Sequence, residues 1–241
     1  MKNLAILFCS IRPSNRKNKI NDFREIEYLN CLKQLKRVIP KNFDILICEN
    51  TIDKMDEIIN TELKSFLQDN KAIFMGSINN NTDNIGFGEL SMLYNSLKFF
   101  NKKKYKFISY ITARRFFTCP YVFERTNTLK KDVLISNPDF LFLNGEYRVN
   151  PKKGLYNDMF FSMKKKYMLE YSEFANEIIN KKIKFFRYNL IRKKPAGSEQ
   201  ILYEYIKKKK LSYDYLDWLG IIRNEWTKSN KFLSINNFHV C

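Results

Sequence analysis

The chain has 241 residues, a formal net charge of +18, and 44% hydrophobic and 15% aromatic residues. That length suits one large domain and is short for two, and only seven glycines and six prolines argue against a linker-rich or disordered chain. The charge points to a polyanionic partner: nucleic acid, an anionic membrane surface or a phosphate-bearing substrate.

The apolar run that opens the chain is met too soon by Arg12, Arg16, Lys17 and Lys19 to read as a secretion signal. No apolar stretch approaches the roughly 20 residues of a membrane helix. Cys9, Cys31, Cys48, Cys119 and Cys241 are odd in number and stand at no metal-finger spacing. Reduced thiols are expected, in a cytoplasmic chain that can associate with the inner face of the membrane.

In chain order, Asn3–Ser10 reads as a buried strand. Asp22–Val38 reads as a helix with Phe23, Ile26, Leu29, Leu32 and Leu35 inward, closed by Pro40. Phe43–Cys48 is a second strand, Met55–Leu67 a helix and Ala72–Met75 a third strand. A polar loop, Ser77–Asn84, precedes a helix at Gly88–Phe100, and Phe107–Ile111 is a fourth strand. Strand and helix alternate through four units, so an α/β fold with a mostly parallel sheet covered on both faces is expected. Val133–Ile135 and Phe140–Leu143 read as short strands, and Asp158–Ala175 and Ser198–Lys209 as helices. The runs Lys164–Lys166 and Lys207–Lys210 read as solvated helix faces.

In open α/β sheets, ligands bind beyond the carboxyl ends of the strands. The residues there are Ser10 and Arg12 after the first strand, and Glu49 and Asn50 after the second. Asn84, Gly86 and Gly88 lead into the helix after the third, and Thr112, Arg114 and Arg115 follow the fourth. Arginines, hydroxyls and carboxamides suit a phosphorylated ligand. Glycines at a helix start let backbone approach an anion, although an ordinary loop and cap would look the same. Neither the phosphate-loop pattern nor the dinucleotide fingerprint is present. His239 is the only histidine, the third residue counted from the end of the sequence, which argues against a Ser-His-Asp or Cys-His mechanism and against His-ligated zinc.

The segments NIGFGELSMLYNSLKFF and KYKFISYITARRFF, with the strand order, resemble a bacterial GT-A-type glycosyltransferase of the capsule or lipopolysaccharide kind. YNDMFFSMKKKYM resembles the acceptor-side segment of such enzymes, and GSEQILYEYIK the motif in which an acidic residue opens a helix facing the acceptor. The resemblance covers about Asn3 to Ile206. It implies a single-domain, Rossmann-like three-layer sandwich spanning 1–241, with a nucleotide-binding half at 1–115 and an acceptor-side half at 116–241. It also implies a nucleotide-sugar donor and a glycan acceptor, lipid-linked at an anionic membrane surface. Where the family carries Asp-x-Asp to hold Mn²⁺ or Mg²⁺, this chain reads Thr112-Ala113-Arg114 and then Arg115. No cofactor follows from the residues themselves, and the expectation is a transferase without a metal at that place or with its metal ligand elsewhere. Glu199, at a helix start behind Ser198, is the first candidate for the general base, and Asp158, at the start of another helix, the second. Each also fits a first-turn carboxylate favoured by the helix dipole.

Two other readings stay open. Lys184-Phe185-Phe186-Arg187-Tyr188 interleaves charge and aromatics as in a nucleic-acid-binding module, though no zinc-finger, helix-turn-helix or RNA-recognition signature accompanies it. The missing Asp-x-Asp also fits a catalytically inactive paralogue.

Overall fold

Lys2–Cys9 forms strand β1, and its alternation decides the architecture. Leu4, Ile6 and Phe8 enter one buried cluster, and Ala5, Leu7 and Cys9 enter another. A strand buried on both faces belongs inside a sheet with helices on each side. In the computed structural model that sheet has seven strands. The structure describes residues 1–12, 21–76, 85–136, 140–143, 146–149, 157–181, 184–186, 193–195, 198–216 and 219–223.

The strands after β1 are β2 (Phe43–Glu49), β3 (Ile73–Phe74), β4 (Tyr105–Thr112), β5 (Arg115–Phe117), β6 (Val133–Ser136), β7 (Phe140–Leu143), β8 (Glu146–Val149), β9 (Asn157–Lys164), β10 (Lys184–Phe186), β11 (Lys193–Pro195), β12 (Tyr213–Leu216) and β13 (Ile221–Arg223). The main sheet has the order β12-β6-β9-β4-β1-β2-β3. β1 runs parallel to β2 and β4, β2 to β3, and β6 to β12. Only β9 is reversed, antiparallel to both β4 and β6. β5 pairs with β13, β7 with β8 and β10 with β11, all antiparallel.

Helices α1 (Asn21–Val38), α2 (Thr61–Asp69) and α4 (Tyr121–Thr128) cover the face carrying Ala5 and Leu7. Helices α3 (Ile85–Phe100), α5 (Lys165–Asn180) and α6 (Ser198–Lys209) cover the other. The expected α/β, three-layer sandwich with a mostly parallel sheet is what forms. On the second face an aromatic chain ties sheet to helices: Phe8, Tyr110, Phe161, Tyr171 and Tyr205 follow one another at ring-centroid separations of 4.5, 4.8, 5.6 and 5.3 Å.

Four expectations need correction. Asp158–Ala175 is not one helix, because β9 occupies Asn157–Lys164 and α5 begins only at Lys165. Phe160, Phe161, Ser162 and Met163 are all buried, and four consecutive buried residues fit a strand between two neighbours and not one helix face. Met55–Leu67 divides into a short 3₁₀ turn, Met55–Glu57, and α2, because the Asn60 side chain accepts the Leu63 N–H at 2.8 Å and starts a new helix. The α3 helix starts at Ile85, so Gly86 and Gly88 lie within its first turns. On α1, Leu29, Leu32 and Leu35 are buried as expected, but Ile26 is exposed and Tyr28 is buried. A step of three residues falls about 60° short of a full turn, so a run of such steps drifts off the buried face.

Candidate functional site

Six of the seven strands end at one edge of the sheet, called here the carboxyl edge. From β1 the chain moves to β2 and β3 on one side, then returns to β4 on the other. The reversal of order lies between β1 and β4, the place where open α/β sheets bind ligands.

The loop after β1 is built from hydrogen bonds that cross to its neighbours. The Ser10 N–H donates to the Tyr28 hydroxyl at 2.8 Å, and Ser10 Oγ donates to Asn50 Oδ1 at 2.6 Å. The Ile11 N–H donates to Glu49 Oε2 at 3.0 Å, while the Thr51 N–H donates to Glu49 Oε1 at 2.6 Å and the Thr51 hydroxyl to the same oxygen. The Arg12 N–H donates to Thr51 Oγ1 at 2.7 Å. Glu49 is fully buried, and burial pushes its carboxyl up to about 7 against the pull of the Thr51 and Ile11 donors and the nearby Arg24. Glu49 and Asn50 therefore shape the β1 and β2 loops, and Ser10 joins them.

Arginines collect at the same place. Arg12 donates through Nε and Nη2 to Glu25 Oε1 at 3.3 and 2.9 Å. Arg24 donates through Nε to the Ser10 carbonyl at 2.6 Å and lies over the Tyr28 ring, 5.6 Å from its centroid. Arg114 Nε lies 3.8 Å from Glu27 Oε1. Arg115 is buried in β5, where it pairs with Arg223 of β13. The Ala113 N–H bonds the Phe8 carbonyl at 3.0 Å, which seats Thr112, Arg114 and Arg115 at the end of β1. Arg12 and Arg114 keep 25% and 21% of their side chains exposed, so their guanidiniums are open to solvent, while Arg24 and Arg115 are buried. A guanidinium carries five N–H donors, of which Arg12 commits two to Glu25.

The topology brings Asp158 and Glu199 to this edge. Phe160 of β9 pairs with Ile111, so Asp158, two residues earlier on the reversed strand, stands level with the end of β4. It is on a strand and not at a helix start. The α6 helix runs toward the beginning of β12, so its first residues, Ser198 and Glu199, also lie at the carboxyl edge. The side chains of Asp158 and Glu199, and all of Asn84, lie outside the described residues. Gly88 is buried in α3, and the neighbouring Glu89 accepts the Tyr110 hydroxyl at 2.6 Å.

Sequence reasoning missed Arg24, Glu25, Glu27, Tyr28 and Thr51. The signal on α1 was present: the buried stripe Tyr28, Leu32 and Leu35, extended back one turn, arrives at Arg24 and Glu25, charged residues on an inward face. Glu25 binds Arg12 and accepts the Ile59 and Asn60 N–H groups at 3.2 and 2.6 Å.

At the end of β4 stand Arg114 and Arg115, where the resemblance to the glycosyltransferases implies metal-binding carboxylates. Among the described residues no group of three or more His, Cys, Asp or Glu side chains could hold a metal. The described helices include none long and apolar enough to cross a membrane. Cys9, Cys31, Cys48 and Cys119 are free and buried.

No protein-family model and no curated sequence matches the chain. Solved structures do. A Desulfovibrio desulfuricans G20 protein, provisionally named a nucleotide-diphospho-sugar transferase, superposes over 90% of this chain and 80% of its own, with a TM-score of 0.51 and 12% identity. The 4-diphosphocytidyl-2C-methyl-D-erythritol synthase of Anaerococcus prevotii DSM 20548 covers 92% and 90%, at 0.49 and 14%. Mouse xyloside xylosyltransferase 1 covers 90% and 84%, at 0.47 and 11%. The chain thus shares the mixed α/β fold of the Desulfovibrio desulfuricans protein.

Proposed function

We propose that this protein transfers a sugar from a nucleotide-sugar donor to a glycan acceptor, lipid-linked and of the capsule or lipopolysaccharide kind. The observation that carries the reading is the arginine cluster, Arg12, Arg24, Arg114 and Arg115, at the β1–β4 switch point of a fold shared with a protein named for such transfer. The 1–115 half holds the donor and the 116–241 half presents the acceptor.

Arg12 and Arg114 hold the diphosphate and neutralise the charge that develops on it as the sugar–phosphate bond breaks. Fixed positive charge in a preorganised site lowers that barrier without a metal. The buried arginines and the hydrogen-bonded Ser10–Asn50 and Glu49–Thr51 pairs keep the loops in place before the ligand arrives. Glu199, at the same edge, takes the proton of the acceptor hydroxyl, with Asp158 as the alternative base.

The test is thermal unfolding of the full chain with UDP, GDP or CDP, each in EDTA and again in Mn²⁺. Stabilisation by one nucleoside diphosphate in EDTA, lost in Arg114→Lys, supports the reading, because the lysine keeps the charge and loses the planar fork. A response confined to Mn²⁺ overturns the metal-free part. A response to oligonucleotides alone overturns the transfer reading.

A further inference from the structure

The parallel strands begin at the edge opposite the candidate site, and lysines from distant parts of the chain meet there. Lys2 opens β1, and Lys41 precedes β2. Lys102, Lys103 and Lys104 lie between α3 and β4, and Lys130 and Lys131 between α4 and β6. Lys164 ends the reversed strand β9, and Lys165 and Lys166 follow it. Lys207–Lys210 close α6 just before β12. The sheet order β6-β9-β4-β1-β2 lines these groups up across five neighbouring strands.

Two ordinary explanations fall short. Cations favour helix carboxyl ends, which accounts for lysines after α3, α4 and α6. It also accounts for Lys165, which donates to the Asn101 and Lys103 carbonyls behind α3, but not for Lys166 in the first turn of α5, where the dipole opposes cations and no acidic residue stands. Nor are the charges internally neutralised. Asp44 and Asp132 pair with Lys2 and Lys164, and Glu170 with Lys209. Lys102, Lys103, Lys104, Lys130, Lys131 and Lys210 are exposed and pair with no carboxylate among the described residues.

We infer that this amino edge docks the protein on an anionic lipid bilayer. The lysines form a two-dimensional field, spread along the sheet edge and out over the ends of α3 and α6. That suits a plane of headgroups better than a linear polyanion. Lysines outnumber the planar arginines that nucleic-acid recognition favours, of which Arg37 and Arg125 lie in the last turns of α1 and α4. Two of the exposed large apolar side chains, Phe99 at 40% and Tyr213 at 41%, stand among them, with Lys98 over the Phe99 ring at 5.1 Å. Aromatic rings beside lysines are the composition of a membrane interface. β1 has eight residues, so the carboxyl edge stands about 26 Å from the headgroups at ~3.3 Å per residue. The inference concerns where the chain meets the bilayer and is independent of the transfer reaction.

The test is sedimentation of the full chain with vesicles of phosphatidylcholine alone and with 30 mol% (about a third) phosphatidylglycerol, over a salt series. Binding only to the anionic vesicles, weakened by salt, is expected. At ~5-fold per lysine, Lys103→Glu, Lys130→Glu and Lys207→Glu together weaken it by more than about a hundredfold. Lys33→Glu, Lys54→Glu and Lys181→Glu change the net charge equally away from this edge and have a much smaller effect. No wild-type binding to anionic vesicles overturns the inference. Equal loss in both triple variants overturns it in favour of diffuse net charge. Binding to single-stranded DNA or duplex RNA without vesicle binding overturns it in favour of nucleic acid.

Discussion

The Ile11 N–H donates to the Glu49 carboxylate at 3.0 Å, joining the ends of β1 and β2 through a group with no contact with water. Burial raises Glu49 from an ordinary 4.5 to about 7. Between those values the folded chain holds a proton that the unfolded chain has lost, so stability falls as pH rises. The contribution is fully present below about pH 4.5 and is lost through pH 7. Urea unfolding is expected to show a decline on the order of 3 kcal/mol across this window. Glu49→Gln should flatten the profile, and an equally steep decline in the variant would clear Glu49 as its source.

Gly76 meets Ile52 backbone to backbone. Its N–H bonds the Ile52 carbonyl at 3.1 Å, and a Cβ on Gly76 would lie 2.6 Å from the Ile52 carbonyl carbon and 2.8 Å from its N and O. Backbone atoms cannot swing aside as a side chain can, so Gly76→Ala must push the β2 and β3 loops apart. A loss of about 1–3 kcal/mol is expected. An unchanged melting temperature in the variant would show that the two loops separate freely.

Glu25 has 1% of its side chain exposed and gathers Arg12, the Ile59 N–H and the Asn60 N–H. Glu25→Ala orphans a guanidinium and two backbone donors together. It should cost about 3–5 kcal/mol, more than Arg12→Ala, which leaves both N–H bonds in place. A double-mutant cycle measures the pair's own coupling. Equal losses from the two single variants would show that Glu25 matters only through Arg12.

A buried hydroxyl relay crosses from sheet to helix. The Thr126 hydroxyl donates to the Val122 carbonyl at 2.8 Å, so Ser162, 2.9 Å away, donates to Thr126, and Ser109, at 2.6 Å, donates to Ser162. Ser162→Ala takes from Ser109 its acceptor and from Thr126 its donor. About 1–3 kcal/mol of stability should be lost, and Ser109→Ala in the same chain should restore part of it. If the second substitution adds its own full cost, the relay does not run through Ser162.

The sequence by itself determined the layers. Unbroken apolar runs in β1 and β4, separated by helical spacings, leave little choice but a sheet covered on both faces. It also marked the carboxyl edge, because the residues after each strand are read directly in chain order. The arginines after β1 and β4 were legible for the same reason. Tertiary structure alone decided the rest. Phe160 and Phe161 became strand because β4 and β6 were there to take their hydrogen bonds, and no local propensity declares such neighbours. Glu25 and Arg12 lie 13 positions apart, and their pairing waits on α1 packing beside β1. The lysine edge was the least legible: Lys103, Lys131 and Lys207 are ordinary surface residues in sequence, and become one field only because the strand order sets their loops side by side.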